Sequence, residues 1–94
     1  MIVGLDYDLT YTMDPDCWNV VIDTLRTFGH TVIVVTCRNP EDTGNQISSG
    51  KIHVPNCPVY YTSGTPKDWY MMRHHGINVT VWIDDDPRSI LLGK

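Results

Sequence analysis

The chain opens on Met1-Ile2-Val3-Gly4-Leu5-Asp6-Tyr7-Asp8-Leu9-Thr10, where a short hydrophobic run meets two alternate aspartates. The apolar part is typical of a β-strand buried in a sheet. Burial of an unpaired carboxylate is costly, so we expect both aspartates to lie where the strand ends and to face a polar site. Because strand residues i and i+2 point the same way, Asp6, Asp8 and Thr10 can converge on one small volume. Oxygens gathered there suit a hard cation or a phosphoryl group.

Strand-like and helix-like segments alternate along the rest of the chain. The predicted strands cover about 2–6, 31–36, 59–62 and 79–83, and the predicted helices about 17–28, 65–75 and 88–92. This alternation predicts an α/β fold with a small, mainly parallel sheet of about four strands. The continuous apolar character of 31–36 is typical of a central strand. Residues 38–58 are rich in Pro, Gly, Asn and Ser, and we expect mostly loop there, with a short helix at 41–47.

Polar residues fall at one edge of the predicted sheet, beyond the carboxyl ends of the strands, where parallel α/β sheets bind ligands. Each residue also has a simpler interpretation: Asp8 in an ordinary turn, Thr36 as a β-branched strand residue, Lys67 as a solvated helix residue. The three acids at 84–86 could form a turn with a helix cap. The shared edge favours a functional site. Its residues are Asp6 and Asp8 after the first strand, Thr36 at the end of the second, Lys67 after the third, and Asp84 and Asp85 after the fourth.

Size and composition narrow the class of protein. The 94 residues are expected to form one domain over 1–94, and the formal charge of −4 argues against strong nucleic-acid binding. Three cysteines without CxxC spacing are typical of reduced thiols. The sequence contains neither a secretory signal nor an apolar run of membrane-spanning length. We therefore expect a cytoplasmic protein that does not associate with membranes.

The chain resembles a known family in four short motifs. Four motifs resemble, in order, those of the haloacid dehalogenase (HAD) superfamily: Asp6-Tyr7-Asp8-Leu9-Thr10, Thr36, Lys67 and Asp84-Asp85. The resemblance covers residues 2–87 and implies a Rossmann-like, HAD-type three-layer sandwich and a magnesium-dependent phosphohydrolase. The order of the motifs differs from that of receiver domains. An EF-hand is excluded because Tyr11 and Cys17 stand where that loop requires Gly and Glu.

The resemblance also implies a role for each motif residue. Asp6 would be the nucleophile and Asp8 the general acid and base, while Thr36 and Lys67 would bind the phosphoryl oxygens. Mg²⁺ would be held by the Asp6 side chain, the backbone carbonyl of Asp8, and Asp84 and Asp85. We expect further contacts to the substrate from Tyr7, Thr10, Tyr11, Cys37 and Arg38.

The chain departs from the family in having no insertion long enough for a cap domain, and it resembles the small HAD-like proteins that bacteriophages encode. A small core and an uncapped site favour a homo-oligomer. Two functions follow. The first is a phosphatase acting on a small phosphorylated metabolite or nucleotide. The second is a weak or inactive HAD-like module that sequesters a phosphorylated, nucleotide-like ligand, which the many aromatic residues and the nearby Arg38 and His53 favour.

Overall fold

The computed structural model describes residues 1–41 and 54–93 and shows an α/β fold. The alternation of strands and helices that the sequence predicts is confirmed. From residue 42 onward the predicted helix at 41–47 lies outside the described residues, as does His53. The elements are β1 (Ile2–Leu5), a 3₁₀ helix (Tyr11–Met13), α1 (Pro15–Thr27), β2 (Thr31–Thr36), β3 (Val59–Tyr61), α2 (Lys67–His75), β4 (Val81–Ile83) and α3 (Arg88–Leu91).

The four strands form one parallel sheet in the order β3-β2-β1-β4, which confirms the predicted small parallel sheet. Leu5 at the end of β1 is in register with Val34 of β2 on one side and with Ile83 of β4 on the other. The chain therefore adds β2 and then β3 on one side of β1, and afterwards places β4 on the other side. The carboxyl ends of β1 and β4 meet at this reversal, the usual place for a ligand in an open α/β sheet.

Alternate residues of β2 supply two separate apolar clusters. Val32 and Val34 belong to a cluster that contains Ile22 of α1, whereas Ile33 and Val35 belong to one that contains Met71 of α2. Because successive strand side chains point to opposite faces, β2 is buried on both faces of the sheet. Its predicted role as a central strand is confirmed.

The helices start and stop at local signals in the sequence. Helix α1 begins at Pro15, whose fixed φ suits a first helical position, and the Asp14 side chain accepts a hydrogen bond from the Cys17 amide at 3.2 Å. Helix α2 ends at His75, and Gly76 caps it with a left-handed φ of 64°. Among the described residues, no helix has the combined length and apolar character that a bilayer span requires.

Gly4 allows β1 and β4 to pack closely. A Cβ atom on Gly4 would lie 2.8 Å from Cε3 of Trp82 and 2.9 Å from Cγ1 of Val79. The Trp82 indole therefore rests directly on the backbone of β1, and any larger residue at position 4 would displace it.

Candidate functional site

Three carboxylates converge at the ends of β1 and β4. Asp6 follows β1, Asp84 and Asp85 follow β4, and each offers an oxygen within 4.8 Å of the others. The Asp6 amide donates a 2.9 Å hydrogen bond to the carbonyl of Ile83, which holds the two strand ends together. Asp6 is buried, the Asp84 side chain is only 2% exposed, and Asp85 lies at the surface. Several carboxylate oxygens gathered in this way are the ligand set that hard divalent cations prefer.

Lys67, the first residue of α2, places its ammonium group inside this cluster. Its Nζ lies 2.8 Å from Oδ1 of Asp6 and 2.5 Å from Oδ2 of Asp84, and the residue is 1% exposed. Burial acts to lower the pKa of Lys67, but the hydrogen bonds to the two carboxylates outweigh it and raise that pKa. The lysine is therefore a buried cation, and the simpler interpretation as a solvated helix residue does not apply.

Asp84 is fixed by further contacts that the sequence did not indicate. Its carboxylate accepts hydrogen bonds from the Asp86 amide at 2.9 Å and from the Ser89 hydroxyl at 3.2 Å. Ser89 is buried on α3, and nothing in its sequence neighbourhood distinguishes it from a surface serine. The short C-terminal helix thus orients one of the three carboxylates.

The cluster carries more negative charge than its lysine can balance. Burial, and then the neighbouring carboxyl of Asp85, raise the pKa of Asp6 to about 7, although the Lys67 ammonium acts to lower it. The Lys67 ammonium contacts two of the three clustered carboxylates and carries only one positive charge. A proton on Asp6 or a divalent cation between the carboxylates would relieve the repulsion, so protons and cations compete for this site.

That competition predicts how pH changes the effect of a divalent cation. Because the folded protein raises the pKa of Asp6 from 3.8 to about 7, the metal-free fold loses stability as pH rises across that interval. A cation requires the ionised carboxylate, and its affinity should fall by about tenfold per pH unit below neutrality. Lys67 does not contribute here, since its raised pKa acts only at alkaline pH.

We therefore expect a divalent cation to raise the melting temperature strongly near about pH 8 and hardly at all near about pH 5. Thermal melts in Mg²⁺ and in EDTA across this range measure the effect. Asp6→Asn is the control, because it cannot ionise at this position and should show neither the pH trend nor the full cation effect. An equal gain in melting temperature at both pH values would contradict a site built on Asp6.

The carboxylate of Asp8 lies apart from the three and faces Arg38. Arg38 Nε donates to Oδ2 of Asp8 at 2.8 Å, and Arg38 Nη2 donates to Oδ1 of Asp8 at 2.6 Å. The guanidinium also sits 5.2 Å from the centre of the Tyr7 ring. This two-bond pair fixes the carboxylate direction. The expected metal contact through the Asp8 carbonyl is not tested by the position of its side chain and stays a prediction.

The turn after Asp8 has an unusual backbone. Leu9 adopts a φ of 60°, in the left-handed region that branched side chains seldom occupy, and its amide donates to the Thr12 hydroxyl at 3.1 Å. Thr10 follows, and its hydroxyl lies 3.4 Å from Oδ2 of Asp6 and 3.4 Å from Oδ1 of Asp85. The turn thus carries Asp8 past the strand end and returns Thr10 to the carboxylate cluster.

Tyr7 and Tyr11 lie beneath the site rather than on its surface. Their rings are buried and stacked, with centroids 5.6 Å apart, and the Tyr11 hydroxyl donates to Asn19 at 3.1 Å. Tyr7 is 1% exposed and Tyr11 is fully buried, so neither ring is presented to a ligand at this edge. Their predicted contact with substrate stays a prediction.

Two threonines end neighbouring strands at the same edge. Thr36 is buried, and its hydroxyl accepts a hydrogen bond from the Arg38 amide at 3.3 Å. Thr62, which the sequence analysis did not single out, donates its amide to the Thr36 carbonyl at 2.8 Å. Its hydroxyl is buried and has no hydrogen-bond partner among the described residues. Cys37, between Thr36 and Arg38, is a half-buried free thiol.

Comparisons with protein-family models, with curated proteins and with solved structures find no match to this chain. Membership of the HAD superfamily therefore rests on the four sequence motifs and stays a prediction.

Proposed function

We propose that this chain is a HAD-type, magnesium-dependent phosphohydrolase that acts through an aspartyl-phosphate on a small phosphorylated metabolite or nucleotide. The observation that carries the proposal is the grouping of the Asp6, Asp84 and Asp85 carboxylates, two of which, Asp6 and Asp84, contact the buried ammonium of Lys67. A buried cluster of this kind is costly to maintain. Chemistry on an anionic phosphoryl group would explain both kinds of charge, because the carboxylates would hold a cation and the lysine would offset the negative charge of the phosphate.

The proposal includes the HAD-type three-layer sandwich. Helices α1 and α2 contribute to different apolar clusters, one formed with Val32 and Val34 and the other with Ile33 and Val35. Helices packed on both faces of a parallel sheet are the usual arrangement of doubly wound folds. The parallel order β3-β2-β1-β4 is compatible with it.

Mg²⁺ is the cation we propose, because carboxylate oxygens suit it and a phosphoryl ligand can complete its shell. Asp6 and Asp85 would hold it, with Asp84 either bound directly or acting through water. The ion would neutralise charge on the phosphoryl oxygens and on the carboxylates around them.

Asp6 would attack phosphorus while the bond to the leaving oxygen breaks, and the leaving oxygen would take a proton from Asp8. Water, deprotonated by Asp8, would then hydrolyse the aspartyl-phosphate and return Asp6 to its carboxylate form. Lys67 would hold one oxygen of Asp6 in place and reduce repulsion between that carboxylate and the phosphate. Catalysis of phosphoryl transfer depends mostly on such positioning and charge stabilisation.

Arg38 would link substrate binding to the acid–base group. It now forms two hydrogen bonds with Asp8, in a pair whose side chains are 27% and 48% exposed. The two hydrogen bonds orient the pair, but its partial exposure lets a competing anion reach the guanidinium. A phosphoryl group at the site would offer Arg38 alternative anionic oxygens, which would release Asp8 to transfer protons.

A phosphoester panel tests the proposal. We expect the protein to release phosphate from p-nitrophenyl phosphate, and faster from one member of a set of nucleotides and sugar phosphates. Mg²⁺ should be required and EDTA should stop the reaction. Absence of release from every substrate, with a folded protein and Mg²⁺ present, would contradict a phosphatase.

One observation favours the second function, a module that binds a phosphorylated ligand without turnover. The proposed acid–base group Asp8 is held by Arg38, whereas a simple binder would have no need of a free Asp8. The buried rings of Tyr7 and Tyr11 count against a stacking platform for a base at this edge. Calorimetry with the same panel distinguishes the two functions: tight nucleotide binding without turnover, unchanged in Asp6→Asn, would support sequestration.

A further inference from the structure

A second concave surface lies on the side of the sheet that α2 covers, away from the three carboxylates. Its large apolar walls come from Trp69 and Met72 of α2, Trp82 of β4 and Leu91 of α3, the polar residues Asp68 and Asn78 also line it, and its cavity volume is about 520 Å³. We call this surface the apolar groove. The Trp82 wall is held in place because the indole rests on the backbone of Gly4. The groove is thus part of the packed structure of β1 and β4.

The rim of the apolar groove exposes large apolar side chains to solvent. Trp69 and Met72 are half-exposed, and Leu91 is 69% exposed. Beside them β4 ends the sheet, so that none of the described strands pairs with its outer side. Contiguous apolar patches of this kind mark interaction surfaces on small proteins. A free sheet edge beside such a patch adds unpaired backbone groups that another chain can cover.

The charges around the apolar groove are complementary to each other. Asp68 lines the groove, and it forms no ion pair with the described residues; its carboxylate accepts only the Trp69 amide, at 2.6 Å. Arg88 lies one turn before Leu91 on α3 and is therefore on the same side of that helix. Its side chain is 82% exposed and reaches Asp86 only at 3.5 Å. The surface thus presents an acid inside the groove and a base beside the projecting leucine.

A surface that carries a groove and a projecting apolar side chain, together with an acid and a base, can pair with the same surface of a second copy about a two-fold axis. We propose that a second copy of this chain docks on the apolar groove, with Leu91 of each copy packing against the other and Arg88 of each copy facing Asp68 of the other. The dimer does not depend on the proposed phosphatase activity.

Sedimentation equilibrium or light scattering of the full chain over a range of concentrations tests the dimer. We expect a mass twice the 10.7 kDa of the chain, falling towards the monomer on dilution. Leu91→Arg should weaken association by at least about tenfold, because it places a charge at the centre of the apolar contact. Phe28→Arg is the matched control: Phe28 is 76% exposed beyond the end of α1, and its replacement should leave the mass unchanged.

A charge exchange tests the proposed pairing of the two copies. Asp68→Lys and Arg88→Glu should each weaken the dimer, and the double variant should restore it, whereas damage to the fold would not be repaired by the second change. Circular dichroism confirms folding of each variant. A monomeric wild type at every concentration would overturn the proposal, as would a dimer disrupted by Phe28→Arg and not by Leu91→Arg. Failure of the double variant to recover would overturn the pairing of Asp68 with Arg88.

Discussion

Replacement of Asp6 by asparagine is expected to reduce magnesium-dependent phosphate release by about a thousandfold or more. The amide has no anionic oxygen to attack phosphorus. The substitution also removes one of the three carboxylates that would hold the cation. The initial rate of phosphate release from p-nitrophenyl phosphate in saturating Mg²⁺ measures the effect. Asp16→Asn makes the same chemical change at an exposed position in the first turn of α1 and should keep the wild-type rate.

Loss of activity in Asp6→Asn should not come from unfolding. Burial raises the pKa of Asp6 to about 7, so the fold already favours an uncharged group at this position. An amide of the same size is expected to keep or increase the stability of the metal-free protein at about pH 8. Urea denaturation of both proteins provides the check. A folded Asp6→Asn variant with the wild-type rate would contradict the assignment of Asp6 as nucleophile.

Replacement of Lys67 by methionine is expected to lower the free energy of unfolding by about 3–5 kcal/mol at neutral pH. The change keeps the length of the side chain but leaves Asp6 and Asp84 buried without their counter-ion. The loss should shrink in acid, where the carboxylates can take up protons, and Mg²⁺ should recover part of it. Phosphate release should fall as well, by about a hundredfold or more, because nothing then screens the phosphate from Asp6.

Urea denaturation at several pH values measures the effect of Lys67→Met. Arg73→Met serves as the control, since Arg73 lies exposed on the same helix and its replacement should change stability by less than about 0.5 kcal/mol. A Lys67→Met variant as stable as the wild type above neutral pH would contradict the buried ion pairs.

The parallel sheet and the proximity of the three aspartates could be predicted from the sequence. A run of β-branched residues without polar interruption predicted β2 over 31–36, as observed at Thr31–Thr36. Alternating strands and helices predicted parallel pairing, and parallel strands bring their carboxyl ends to one edge. The proximity of Asp6 to Asp84 and Asp85 followed from that geometry. These features depend on periodicity and on chain direction, which sequence patterns record well.

Side-chain directions in the turn after β1 could not be predicted in this way. The left-handed Leu9 and the 3₁₀ helix at Tyr11–Met13 direct Asp8 towards Arg38 and place the Tyr11 ring in the core. No periodic pattern encodes these dihedral angles. Helix α1 likewise begins at Pro15, two residues before the predicted start, with Asp14 as its cap. The contact of Ser89 with Asp84 depends on tertiary packing of α3.

The apolar groove also could not be predicted from the sequence. Trp69, Met72 and Leu91 resemble core residues in composition, and only the packing of α2 and α3 shows that they face solvent. Hydrophobic patterning predicts which residues avoid water in general, but it does not separate a core from an interface.

Acid-quenched reactions of an Asp8→Asn variant test most directly whether Asp6 forms the covalent intermediate. p-Nitrophenolate leaves without a proton from Asp8, whereas hydrolysis of the aspartyl-phosphate needs Asp8 to activate water, so the intermediate should accumulate. With p-nitrophenyl phosphate and Mg²⁺, mass spectrometry should find one added phosphoryl group on the peptide that contains Asp6, and none in the Asp6→Asn/Asp8→Asn variant. Absence of that adduct, or its presence on another residue, would contradict phosphoryl transfer through Asp6.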